Sequence, residues 1–227
     1  MEKLLEYTPI LLKASLLTIS LAFCSLFVAT LLGALGAKGK LSKEKYGREY
    51  AGAYTAIVRG IPDLVLILLI YFGFQKMLNI ATEGLGLGIY SVSPFWAGVL
   101  AIGFIYGAYL TETFRGAYNA VPQGQKEAAM ALGLGPYARF FKVVLPQLIR
   151  HALPGYGNVF QVLIKSTAVV GVLGLNDLVG LAKDAGQSVR MPFTFNAFTL
   201  FMYLIFYFFA SWVFRVLERR FAEKGHN

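Results

Sequence analysis

Apolar residues gather along the chain into five long runs separated by short polar segments. The runs cover about Pro9–Gly36, Tyr50–Gln75, Pro94–Thr113, Leu153–Gly174 and Pro192–Phe214. Each is as long as the roughly 20 residues that a helix needs to cross a bilayer. The pattern predicts a single all-α membrane domain over 1–227 with five transmembrane helices. Basic residues between the runs then orient it. Lys38, Lys40, Lys43, Lys45 and Arg48 follow the first run, Arg115, Lys126, Arg139, Lys142 and Arg150 the third, and Arg215, Arg219, Arg220 and Lys224 the fifth. The opposite face has only Lys3, Lys13, Lys76, Lys183 and Arg190, while Arg59 and Lys165 fall in or near spans. The positive-inside bias therefore predicts an outer N-terminus and a cytoplasmic C-terminus, which an odd span count allows.

Composition agrees. Hydrophobic residues make up 57% and charged residues 15%, with a mean hydropathy of +0.60, far from a soluble balance. No Ala-x-Ala-like cleavage site follows the first run, which is too long for a signal-peptide core, so it is expected to be a retained span. The single cysteine, Cys24, lies inside that run and reads as a small packing residue. A net charge of +9 raises the question of nucleic acid. The basic residues sit mostly in inter-span loops, which points to topology and to no nucleic-acid partner.

The chemistry missing from the chain narrows its function. No Gly-x-x-x-x-Gly-Lys-Ser/Thr stretch exists: Gly39-Lys40 is followed by Leu41, and Ala34 stands where the first glycine belongs. The chain cannot build its own phosphate cradle. His151 and His226 have no ligand-type neighbours at metal spacing, and no nucleophile elbow occurs. No catalytic or metal residues are expected. Gly84-x-Gly86-x-Gly88 lacks a strand–turn–helix setting and reads as an outward-facing turn. Gly103-x-x-x-Gly107 allows close helix approach within one bundle.

The segment at about 122–146 stands out. Pro122 and Gly124 break the chain after the third run, and Glu127 falls in the first turn of a short helix kept thin by Ala128, Ala129 and Ala131. Gly133 suits a helix end and Pro136 the start of a second helix, which carries Phe140, Phe141, Val143, Val144 and Leu145 up to Pro146. The expected object is a bent pair of short helices on the cytoplasmic surface. It serves either as a handle for a partner or as an amphipathic loop in the headgroups.

The pattern Glu-Ala-Ala, three residues, Gly, nine residues, aliphatic, any residue, Leu-Pro resembles the cytoplasmic loop of permease subunits of binding-protein-dependent ABC importers. Glu127, Ala128, Ala129, Gly133, Leu145 and Pro146 carry it, with Val143 where Ile is usual. Arg59-Gly60-Ile61-Pro62, Gly107-Ala108-Tyr109 with Glu112 and Arg115-Gly116, Ala152-Leu153-Pro154, Lys165-Ser166-Thr167 and Leu217-Glu218-Arg219-Arg220 extend the likeness over nearly the whole chain. In detail it resembles the polar amino-acid branch, most of all the subunits serving histidine, lysine, arginine, ornithine and opines. The resemblance implies a type I importer permease fold in the bacterial inner membrane. It also implies a second permease subunit (a related distinct chain, otherwise a copy), a periplasmic binding protein, and an ATPase dimer that grips the loop. ATP and Mg would be bound by that ATPase, and no cofactor by this chain.

Polar residues inside spans are the remaining candidates, because ionisable groups there are costly. Glu112 and Arg115 are spaced for an i,i+3 ion pair, or Glu112 faces the pathway and attracts a cation. Arg59 is expected to snorkel and to pair with Asp63. Gln161 and Lys165 share a face, beside Ser166 and Thr167, and either hold a substrate carboxylate or reach the interface. Tyr106 and Tyr109 could wall a pocket or simply pack. Val170 to Leu175, leading into Asn176 and Asp177, reads as a bendable end that could gate the outside. A secondary transporter, which would show inverted repeats and broken midplane helices, or an uncoupled channel, is the rival reading.

Overall fold

The computed structural model describes residues 2–86, 88–89 and 91–223, except the side chains of Val172, Ala222 and Glu223. Lys224 and His226 lie outside the described residues. Every described element is helical: α1 Glu2–Leu41, α2 Lys45–Gly60, α3 Asp63–Gly84, α4 Pro94–Ala120, α5 Gln123–Ala131, α6 Pro136–Arg139, a π-helical turn Phe140–Val144, α7 Leu145–Val172, α8 Leu178–Ser188 and α9 Pro192–Glu223. Of these, α1, α3, α4 and α9 are long and apolar enough to cross a membrane. The 28-residue α7 is equally long. It is not among the four, and Asn158, Gln161, Lys165, Ser166 and Thr167 interrupt its apolar course.

The second expected span is corrected. Tyr50–Gln75 is not one helix: α2 stops at Gly60 and α3 starts at Asp63. Pro62 disfavours the helical conformation at the residue before it, and Ile61 is extended at φ −111°, ψ 142°. The inner stripe of α2 (Ala51, Thr55, Val58) is buried, while Tyr46, Tyr50 and Ile57 are exposed. An amphipathic helix and a following span had merged into one apolar run. Pro9, expected to open the first span, lies inside α1 instead.

The helix α4 sits at the centre. Its Val99, Ile102, Ile105, Tyr106 and Leu110 are buried, and α1 packs along it through glycines on both helices. A Cβ at Gly103 would lie 2.6 Å from Val28 Cγ1, one at Gly107 2.8 Å from Leu32 Cβ, and one at Gly33 2.6 Å from Leu110 Cβ. The Gly103-x-x-x-Gly107 pair is thus a packing seam inside this chain. On the far side Gly98 meets Val170 of α7, and Gly157 of α7 lies under Phe214 of α9. The helix α3 is different, with only Leu66 and Ile67 buried. The expected turn at Gly84-x-Gly86-x-Gly88 does end α3, with Gly86 and Gly88 at φ 71° and 79°.

The helix α8 was not foreseen. Its N-cap is Asp177, fully buried, whose carboxylate accepts from Val179 N at 3.1 Å and Gly180 N at 3.0 Å. Thr18 of α1 donates to the same carboxylate at 3.1 Å and accepts from Leu178 N at 3.2 Å. Burial pushes the Asp177 carboxyl above the usual carboxylate range, against the pull of these donors. The α7–α8 bend itself is made by Gly174 at φ 101°, and Asp177 pins α8 to α1. Where a bendable end was expected, the structure shows a turn at Gly174 followed by the Asp177–Thr18 clamp.

Gly103→Ala should lower the unfolding temperature of the purified protein, since overpacking a tight seam costs about 1–3 kcal/mol. Gly116→Ala on the same helix meets nothing within 4 Å. It should leave stability unchanged or raise it by about 1 kcal/mol. Equal effects from both would remove the seam argument.

Candidate functional site

Two features carry functional potential: the bent segment after α4, and a polar cluster between α2, α3, α4 and α7.

The bent segment forms because Val121-Pro122 ends α4 in extended backbone and a new helix starts at Gln123. The end of α5 is a Schellman closure. Gly133 sits at φ 74°, its N–H donates to Met130 O at 2.9 Å, and Leu134 N donates to Ala129 O at 3.1 Å. Gly135 then caps α6, with Pro136 in its first turn. Glu127, Ala128 and Gly133 are exposed, as are Leu132, Tyr137 and Phe141. Ala129 is buried and Leu145 half-buried, so these two do not belong to the exposed face.

Two expectations about this segment are corrected. Glu127 lies beyond the first turn, because α5 starts at Gln123. The second helix does not end at Pro146: α6 passes through the π-helical turn into α7, and Pro146 is in α7's first turn. Leu145 N bonds back to Phe140 O. The π-helical turn takes up the register change beside a proline that cannot donate.

In the polar cluster, the 1%-exposed Tyr106 is the hub. Its hydroxyl donates to Asp63 Oδ2 at 2.8 Å and lies 2.5 Å from Ser166 Oγ. The Tyr109 hydroxyl donates to Asp63 Oδ1 at 3.5 Å, its ring stacks on Tyr106 at 5.5 Å, and the Arg59 guanidinium lies 5.4 Å from its centroid. Arg59 therefore rests on an aromatic face. The expected Arg59–Asp63 ion pair is not among the ion pairs of the described residues. The break at Ile61-Pro62 removes the one-turn spacing that would have joined them.

Glu112 does pair with Arg115, Oε2 to Nη2 at 2.8 Å, and also with Lys40 at the end of α1. Next to this pair an open polar pocket of about 510 Å³ is lined by Lys40, Thr55, Arg59, Tyr109 and Glu112. Tyr109 thus joins the pocket to the Asp63 cluster. Of the expected residues, the structure brings Tyr106, Tyr109 and Ser166 together, with Glu112 one step away. Gln161 and the exposed Lys165 point elsewhere, along a stripe of α7 with Asn158 and His151. Asp63 and Lys40 were missed as site residues. Asp63 could have been found as the carboxylate straight after a Gly-Ile-Pro break, at the mouth of a span.

The chain matches the family model described as "Binding-protein-dependent transport system inner membrane component" over residues 10–223. It is 44% identical over 216 residues to the histidine/lysine/arginine/ornithine transport system permease protein HisQ of Escherichia coli (strain K12), covering 95% of each chain. It is 39% identical to the octopine transport system permease protein OccQ of Rhizobium radiobacter, covering 92% of this chain and 89% of that one. Among solved structures, "Crystal structure of an amino acid ABC transporter with histidines" aligns at a TM-score of 0.81 and 31% identity, covering 96% of each chain.

Tyr106→Phe removes the hydroxyl that joins Asp63 to Ser166. Taking a hydrogen bond from two half-buried partners should cost about 1 kcal/mol, measured as a lower unfolding temperature. Tyr109→Phe, whose bond to Asp63 is longer, should cost less. The reverse order would show that Tyr106 is not the hub.

Proposed function

Because the chain belongs to the binding-protein-dependent transport system inner membrane components, we propose how this ABC-importer permease subunit moves its substrate and what it moves. The family places the chain in a membrane and makes it the transport subunit, not itself the enzyme. Likeness to the permeases named for histidine, lysine, arginine, ornithine and octopine supports amino acids, basic ones in particular, as the cargo.

In this reading α7 is the fifth span. Its stripe of His151, Asn158, Gln161 and Lys165 is too polar to face lipid, so it faces the pathway and the second permease subunit. The N-terminus lies outside and the C-terminus inside the bacterial inner membrane, following the basic loops. The Asp63–Tyr106–Tyr109–Ser166 cluster borders the pathway. Asp63 is the carboxylate available to a cationic substrate, since Glu112 is already neutralised by Lys40 and Arg115. A periplasmic binding protein delivers the amino acid, and a separate ATPase dimer binds ATP and Mg.

The observation that carries the reading is the exposed, Schellman-closed bend from α5 to α6. Its outer face is covered by none of the described residues. It leads directly through the π-helical turn into α7, so force applied to it is transmitted to the pathway helix. Closure of the ATPases on ATP draws the two handles together and opens the pathway outward. This coupling is what a secondary transporter or channel would lack.

In the assembled complex in liposomes, Glu127→Lys or Gly133→Leu should leave membrane insertion and ATP hydrolysis in place while uptake falls sharply. A Cβ at Gly133 meets no neighbour, so the cost there is the left-handed backbone, about 1–2 kcal/mol for a non-glycine residue. Unchanged uptake in both variants would remove the coupling role. Asp63→Asn should reduce uptake of arginine more than uptake of a neutral amino acid, and equal reduction would take Asp63 out of the cation path.

A further inference from the structure

An apolar groove of about 390 Å³ runs between α1, α7 and α9, on the side of α7 away from its polar stripe. Ala22, Phe23, Leu26, Phe160, Phe209 and Phe214 form much of its wall. The hydroxyls on that wall are occupied: Thr18 donates to Asp177, and Tyr156 lies 2.9 Å from Thr30 Oγ1. Nothing in the wall can recognise a polar ligand. Two of its helices, α1 and α9, are candidate membrane spans, so the groove opens onto hydrocarbon. A wall this uniformly apolar suits a flexible acyl chain.

One end of the groove carries charge. Leu153 and Leu217 line it together, and Gly157 lies under Phe214, so α7 and α9 run antiparallel there. One turn beyond Leu153 is Arg150, and one turn beyond Leu217 is Arg220. Neither is in an ion pair among the described residues. The Arg150 Nε is buried and without a hydrogen-bond partner. That nitrogen is closed off by the protein, but Arg150 is only half-buried and Arg220 is exposed, and guanidinium donors of this kind bind a phosphate oxygen with charge assistance.

We propose that this groove binds one acyl chain of an anionic phospholipid, whose phosphate sits against Arg150 and Arg220. The lipid comes from the leaflet at the Arg150 end. It fills the wedge between α1 and α9, which touch through Tyr7 and Phe195 near their N-termini and are spread apart at the groove. The site uses no part of the transport reading and needs neither substrate nor ATP.

The test is photolabelling of the full chain in bilayer nanodiscs doped with diazirine-acyl phosphatidylglycerol or phosphatidylcholine. Adducts from phosphatidylglycerol should concentrate on the peptides bearing Phe23, Phe160 and Phe209 and exceed those from phosphatidylcholine. Arg150→Gln and Arg220→Gln should each reduce the phosphatidylglycerol adducts roughly fivefold, the effect of one basic residue on anionic lipid. Val213→Trp at the groove wall should displace these adducts while those on α3 persist. Should an arginine variant fail to fold, the headgroup ratio in the unaltered chain decides. Labelling spread evenly over α3 and the groove, labelling indifferent to headgroup, or a groove shielded when the second permease subunit is present would each overturn the proposal.

Discussion

The close approach of α1 to α4 is the constraint on which the structure depends. Gly33, Gly36, Gly103 and Gly107 leave no room for a Cβ between the two helices. In a membrane, where apolar surface finds no advantage in meeting other apolar surface rather than lipid, such contact density takes the place of a hydrophobic core. With α1 and α7 closed over it, α4 places Tyr106 in a buried position with two hydrogen-bonding neighbours from separate helices. It also carries Glu112 to the end of α1, where Lys40 meets it.

That arrangement links the polar cluster to the exposed bend. The helix α4 ends at Val121-Pro122, α5 begins at once, and the chain returns through α6 and the π-helical turn into α7. The exposed bend therefore hangs between the two helices that hold Tyr106 and Ser166. At the opposite end of α7, Gly174 turns the chain at φ 101° before Asp177 and Thr18 pin α8 to α1. The helix α7 thus runs from the exposed bend at one end to the Gly174 turn and the Asp177–Thr18 contact at the other.

Exposed apolar surface is distributed unevenly, and this bears on assembly. The helix α3 buries only Leu66 and Ile67, whereas α4 is covered on most sides. The polar stripe of α7 is left open. The open polar stripe and the almost bare span are the surfaces on which the proposed second membrane subunit would rest.

The amino-acid order alone determined much of this. Long apolar runs separated by basic loops dictate an all-helical membrane protein, because their length matches the bilayer. The placing of Gly133 and Pro136 dictates a bent pair of short helices, because glycine tolerates φ 74° and proline suits a first turn. Other features were decided only in three dimensions. Hydropathy could not separate α2 from α3, since an amphipathic helix with aromatic residues on its open face looks as apolar as a span. The partners of Arg59, Asp63 and Lys40 lie 43 to 72 positions away, and periodicity along one helix carries no information about them. Helix α8 had a visible N-cap in Asp177, yet its anchoring to Thr18 spans 159 positions. Local pattern determines the elements; which charges and hydroxyls meet is set by how the glycine seams let the helices close.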